Sequence, residues 1–268
     1  MSFADVRTPT LFKKSQFLRL DVGEHTLRIL DETATAVDTH YVISRGGKAT
    51  IRCLGDDCPI CNINAQLKLE HPGTFRNAQG YSPISRRHSF NVLDRTDAKT
   101  CPKCQAVTKP RGGNFPSICP ECGSFITDTK PAPINKIYLV TVSDTVAKDL
   151  NRISKLNRGA DLEPLPINSY DIIISVEQGS KGREMTVMAQ PQRNDVLDIT
   201  EELFDPSTAI TTLSKEEIIE FLRGVSIRDI FLSRNKKDDV ASPASKKEEA
   251  KLEEVSKDAE DMIKKLFG

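Results

Sequence analysis

The chain has 268 residues, with 38 Lys plus Arg against 38 Asp plus Glu, so its formal charge balances and it is no polyelectrolyte. The length suits one large domain or two small ones. No apolar run approaches the ~20 residues of a transmembrane helix, and the first residues lack the apolar stretch and cleavage site of a secretory signal. A cytoplasmic protein without a membrane partner is the expectation, and there thiols stay reduced. Its seven Cys, an odd count, then read as metal ligands rather than a disulfide framework. Trp is absent, so the core must be largely aliphatic.

In chain order, "FLRLDVGEHTLRIL" (17–30) reads as two strands around Gly23-Glu24, with Leu18, Leu20 and Val22 on one face and Phe17, Arg19 and Asp21 on the other. "HYVIS" and "KATIRCL" form a hairpin around Gly46-Gly47. "PICNINAQLKLE" (59–70) has helical spacing and stops before His71-Pro72. "RRHSFNVLD" and "NKIYLVTV" are strands with a Cys cluster inserted between them. "SDTVAKDLNRISKLN" is a helix capped by Ser143 or Asp144, with an apolar stripe of Val146, Leu150, Ile153 and Leu156. "YDIIISVEQGSKGREMTVMAQ" is a hairpin. "SKEEIIEFLRG" carries the capping box Ser214/Glu217 and a stop glycine. From Asn235 the chain turns polar and passes through "ASPAS". It ends in a segment whose Leu252, Val255, Ala259, Met262, Ile263, Leu266 and Phe267 would make one apolar helical stripe.

This pattern predicts a mainly β, α+β fold: an OB-like, partly open barrel with inserted zinc subdomains and a C-terminal helical tail. The expected division is a core over 1–200, including a zinc site at 40–61 and a ribbon insertion at 95–130. A short helical segment over 201–235 follows, then a linker and partner-binding helix over 236–268.

Two clusters carry the chemistry. The first runs His40-x12-Cys53-x4-Cys58-x2-Cys61. A CxxC turn places two sulfurs on one tetrahedral metal, and a hairpin returns two more ligands to it. His71 and His88 compete with His40 for the fourth position. The second, Cys101-x2-Cys104-x14-Cys119-x2-Cys122, is the zinc-ribbon spacing. Eight ligands fill two four-coordinate zinc sites. A filled site has no position for water, so both zincs are structural.

No catalytic set stands out, and a non-enzymatic protein is expected. "SRGGKAT" lacks the first Gly and the Ser/Thr of a phosphate loop. No H-E-x-x-H or deaminase signature occurs.

Residues 1–130 carry 18 Lys/Arg and 13 Asp/Glu, net +5, while 201–235 carry 4 and 7, net −3. Zinc-bound thiolates reduce the first surplus to about +2. A nucleic-acid groove must therefore come from local clusters. Single strands need such cations with aromatic faces for stacking. The candidates are Phe17, Arg19, Arg28, Tyr41, Arg45, Lys48, Arg52, Tyr81, Arg86, Arg87, Phe90 and Tyr138.

The strand pair, the His-x12-Cys spacing and the CxxC knuckle leading into a helix resemble the single-stranded-DNA-binding proteins of T-even and related tailed phages. "GEHTLRIL" before and "YDIIISVEQG" after resemble strands of those proteins. The resemblance implies an OB-type barrel with a zinc subdomain ligated by one His and three Cys. It further implies coating of single-stranded DNA in phage replication, recombination and repair, self-association on DNA, and recruitment of replication or recombination proteins by the C-terminal tail. In a viral protein the location would be the host cytoplasm. The chain departs from that family in its short Cys53–Cys58 gap, its extra ribbon, its faint basic motif "LFKKSQF" and its nearly neutral tail. The alternatives are a zinc-ribbon transcription or replication accessory factor working mainly through protein contacts, and a nuclease or primase subunit.

Overall fold

The computed structural model describes residues 16–110, 114–159, 161–180, 182–190, 199 and 202–238. Its elements are β1 (Gly23–Ile29), β2 (Thr35–Ser44), β3 (Gly47–Arg52), α1 (Pro59–Glu70), β4 (Ile84–Asp94), β5 (Asp97–Thr100), β6 (Val107–Thr108), β7 (Ala132–Pro133), β8 (Lys136–Ser143), α2 (Asp144–Leu156), β9 (Asp171–Gly179), β10 (Gly182–Ala189), α3 (Lys215–Arg223) and α4 (Ile227–Asp238). Strands dominate and form a strongly curled antiparallel half-barrel, consistent with the OB-like α+β class. Packing divides the described chain into two compact units: 38–85 with 210–238, and 16–37 with 86–209. The "ASPAS" stretch, the apolar stripe of the tail and most of "LFKKSQF" lie outside the described residues.

In the second of these units, β10, β9, β1, β4 and β8 pair antiparallel in that order. Alternation puts Leu27, Ile29, Val92, Ile172, Ile174 and Val187 into one core, closed by Val146 and Leu150 of α2. Burying each such side chain contributes roughly 1.5–3 kcal/mol. Ser143 caps α2 by accepting the Val146 N–H. The expected apolar stripe of α2 is shorter than its spacing suggests, because Leu156 at the last turn is exposed. The expected strand before Gly23 does not form either. Phe17 bridges Leu139 and the Leu18 N–H bonds its carbonyl, while Arg19 pairs with Asp21 and Val22 faces solvent.

The other unit is a β2–β3 hairpin with three helices. Its core joins Val42, Ile51, Cys58 and Ile60 to Leu213, Ile218, Phe221 and Ile230. The capping box of Ser214 and Glu217 is complete, and Gly224 ends α3 at φ +108°, where a side chain would be strained. α4 was not expected from the sequence. Ser226 caps it by accepting the Asp229 N–H, and Ile227, Ile230 and Phe231 supply its inner face.

Candidate metal centres and a basic aromatic surface

The first cluster is built by the hairpin and the start of α1. In β2, His40 lies opposite Ile51 of β3, on the buried face. Cys53 follows β3 directly, its N–H bonded to the Asp38 carbonyl. Gly55 at φ +69° turns the chain toward Cys58, the N-cap of α1, and Pro59 opens the helix. Cys61 then falls in the first turn. The four donor atoms of His40, Cys53, Cys58 and Cys61 all lie within 4.8 Å of one another, a set that fits one metal ion. Sγ of Cys61 is 3.6 Å from that of Cys53 and 3.3 Å from His40 Nε2. His40, not His71 or His88, completes the set. His71 is exposed at the end of α1, and His88 pairs with Asp144.

A second layer of contacts orients His40. Its Nδ1 lies 2.9 Å from the Ser82 carbonyl, which assigns a proton to Nδ1, so that in the neutral imidazole the Nε2 lone pair is free to ligate a metal among the sulfurs. The Asn64 amide holds Ser82 at both ends: its Nδ2 donates to the Ser82 carbonyl at 2.6 Å, and its Oδ1 accepts the Ser82 N–H at 3.0 Å. Neither Asn64 nor Ser82 is among the residues expected from sequence. The available signal was an Asn on the apolar face of α1, three residues after Cys61, where its helix propensity is poor.

The thiols are electrostatically unequal. Burial opposes ionisation of Cys58, but hydrogen bonds from His40 and from the N–H groups of Leu54, Cys61 and Ile60 outweigh it and bring the thiol down to about 6. Burial and then the neighbouring Cys53 and Cys58 push Cys61 up to about 12. Burial likewise raises Cys53. A divalent cation among the donors would favour the thiolate at each.

The second cluster lies in the four-cysteine ribbon between β4 and β8. Its two knuckles repeat one geometry. Cys101 N–H bonds the Ala106 carbonyl and Gln105 N–H bonds that of Cys101; Cys119 N–H bonds Ser124 and Gly123 N–H bonds Cys119. Gln105 (φ 61°) and Gly123 (φ 70°) occupy equivalent left-handed positions. The flanking pairs Thr100/Val107 and Ile118/Phe125 are also equivalent. The four sulfurs lie within 4.8 Å of one another. Ser124 draws Cys122 down to about 6. The Ala106 N–H favours ionised Cys104, yet Cys122 and the other thiols push it up to about 12. Besides Cys101 and Cys119, the ribbon's core holds one fully buried side chain, Ile126. A subdomain with so little to bury would gain most of its stability from a metal ion held by the four thiols.

The expected nucleic-acid residues fall into three groups. Tyr41, Arg45, Lys48 and Arg52 come together, exposed, on the β2–β3 hairpin. The register places Tyr41 opposite Thr50, Ile43 opposite Lys48 and Thr39 opposite Arg52, so one face carries all of these while His40 and Val42 occupy the other. Tyr41 is 53% and Ile43 65% exposed. The Ser82 hydroxyl donates to the Tyr41 carbonyl at 2.8 Å, tying the Tyr81 segment to this strand. Tyr81 itself is half-buried, edge-on to Phe75 at 5.3 Å, with Lys68 and Arg76 over the Phe75 ring. These three partners were also missed.

A second group lies elsewhere in the fold. Phe17 is half-buried, Arg19 is exposed beside Asp21, Arg86 is exposed and Arg87 half-buried on β4, and Tyr138 is half-buried under Lys136. The third group corrects the expectation. Phe90 is 2% exposed in the core, and Arg28 is 4% exposed, its Nε bonded to Asp171 at 2.6 Å. Neither can face a nucleic acid. Phe90 belongs to the inward set of β4, and Arg28 joins Arg95 around the buried Asp171. No protein-family model and no curated protein matches the chain. Among the described residues no helix is long and apolar enough to cross a membrane.

Proposed function

We propose that the protein binds single-stranded DNA without sequence preference, and that both clusters hold structural zinc. The observation that carries this reading is the two-faced hairpin. His40, facing inward, belongs to the metal cluster, while its neighbour Tyr41, facing outward, stands exposed with Ile43, Lys48 and Arg52. A braced aromatic with adjacent cations is what base stacking and phosphate neutralisation require. A set of three thiolates with one imidazole and a set of four thiolates both suit zinc in closed tetrahedral sites. With no position left for water, zinc would supply rigidity rather than chemistry. The proposed role is coating and protection of strands exposed in replication, recombination and repair, as in the phage family that the sequence resembles, in the cytoplasm of the host. The protein is not proposed to be an enzyme. Titration of a fluorescent oligothymidine tests this: tight binding that weakens steeply with salt supports it, and preference for duplex overturns it.

One observation favours a second reading, an accessory factor working through protein contacts. The ribbon exposes Val107, Ile118 and Phe125, the last at 74%, with the latter two paired across a bridge. Binding of a replication or transcription protein that survives Tyr41→Ala but fails with Phe125→Ala would favour it.

A further inference from the structure

The tip of the β2–β3 hairpin is locked onto the α3–α4 corner. A Cβ at Gly46 would lie 2.3 Å from the Val225 carbonyl oxygen, and one at Gly224 would lie 3.2 Å from Arg45 Cβ. Backbone meets backbone here with no room for a side chain. The corner carries Arg223 at the end of α3 and Arg228 in the first turn of α4, both exposed. Arg45, Lys48, Arg52, Arg223 and Arg228 form no ion pair among the described residues, unlike Arg234, which Glu217 holds. The carboxylates of this corner are Glu220 and Asp229, and Asp229 accepts a hydrogen bond from the Ser226 hydroxyl at 2.7 Å. The corner (220–229) alone is balanced, two cations against two carboxylates, and the hairpin tip (44–52) adds Arg45, Lys48 and Arg52 with no carboxylate, so the two stretches together carry a surplus of three. The charge count along the sequence hides this, because 201–235 is acidic as a segment.

We propose that the strand-binding surface continues from the Tyr41 face over the hairpin tip onto the α3–α4 corner, where Arg223 and Arg228 neutralise phosphates beside Arg45. This rests on the single-strand reading above and adds residues and a direction to it. Bases would stack at Tyr41 while the sugar–phosphate backbone runs toward α4. The fixed contact between Gly46 and Val225 holds the two parts of the track in one register.

The test is the salt dependence of oligothymidine affinity for the zinc-loaded full chain. Each lost phosphate contact should reduce the slope of log K against log salt by about 0.7, so the R223Q/R228Q double variant should be shallower by about 1.4. Tyr41→Ala should weaken binding and leave the slope unchanged. If the wild type fails to bind, or binds without salt dependence, the single-strand reading falls and this inference with it. If the wild type shows a steep slope that R223Q/R228Q retains, this inference alone is overturned. A purely structural role of Arg223 at the helix end would lower the melting temperature and leave the slope alone. Should the double variant not fold, arginine-directed modification of the wild type by phenylglyoxal decides: shielding of Arg223 and Arg228 by oligothymidine supports the track, and equal reactivity with and without it overturns the proposal.

Discussion

Asn64 shows how a single side chain can govern a candidate metal site of which it is not a member. It fixes Ser82, and the Ser82 carbonyl fixes the tautomer and direction of His40. Asn64→Ala should cost about 1–3 kcal/mol through the buried Ser82 N–H it leaves unpaired. It should also weaken the first site roughly 10–100-fold, as loss of such supporting bonds does. Competition with a chromophoric chelator measures the second effect, and the ribbon site should be unchanged. The thiols predict a proton count. At pH 8, Cys58, drawn down to about 6, is already ionised, whereas Cys61, pushed up to about 12, and Cys53, also raised, keep their protons. Zinc uptake at the first site should therefore release protons from Cys53 and Cys61 and none from Cys58. Burial would lower His40, but Cys58 and the Ser82 carbonyl raise it, so its own release grows as pH falls toward neutrality. Calorimetry in buffers of different ionisation enthalpy, with the Cys101 and Cys104 pair replaced by Ser to silence the ribbon, reads this count.

At the scale of elements, the hairpin and the ribbon depend on different things. The hairpin is held by packing against α3 and α4 as well as by its cluster. Gly46→Ala puts a methyl group into the Val225 carbonyl. Such overpacking should cost about 1–3 kcal/mol, visible as a lower melting temperature. The ribbon has Ile126 and its cysteines and little else. A chelator should therefore release the amides of 97–108 and 117–129 to hydrogen exchange, while β1 and β9, paired from Gly23↔Val176 to Arg28↔Asp171, stay protected. Equal protection of the ribbon with and without metal would show that its hydrogen bonds suffice alone.

For the whole molecule, metal analysis should give two ions per chain, one for each group of four donors. Stability and binding should separate between aromatics that look alike in sequence. Tyr41→Ala should reduce single-strand affinity by roughly 1–3 kcal/mol with the melting temperature kept. Phe90→Ala, in the core, should cost about 3–5 kcal/mol of stability instead. A melting curve beside a titration distinguishes them. A Tyr41→Ala variant with full affinity would remove stacking on the hairpin from the account.

Much of this was legible in the sequence where the cause is local. The CxxC knuckles, Pro59 opening α1, the capping box at Ser214 and the stop at Gly224 each need only a few neighbouring residues, and each stands where its pattern put it. Ser226 with Asp229 was an equally local signal for α4 and could have been read. The choice of His40 over His71 and His88 was not local. It depends on which strand returns to the CxxC turn and on a carbonyl from Ser82, 42 residues later in the chain. The fates of Phe90 and Arg28 were also decided by tertiary structure. Alternation says that successive side chains face opposite ways, but only the packed sheet says which way is in, and a basic residue is expected outside unless a partner such as Asp171 waits for it. So too with Arg223 and Arg228. Their segment is acidic along the chain, and only the contact of Gly46 with Val225 brings them beside the hairpin. Composition adds charge along the sequence, whereas the field at a surface comes from charges brought together in space by residues far apart in it.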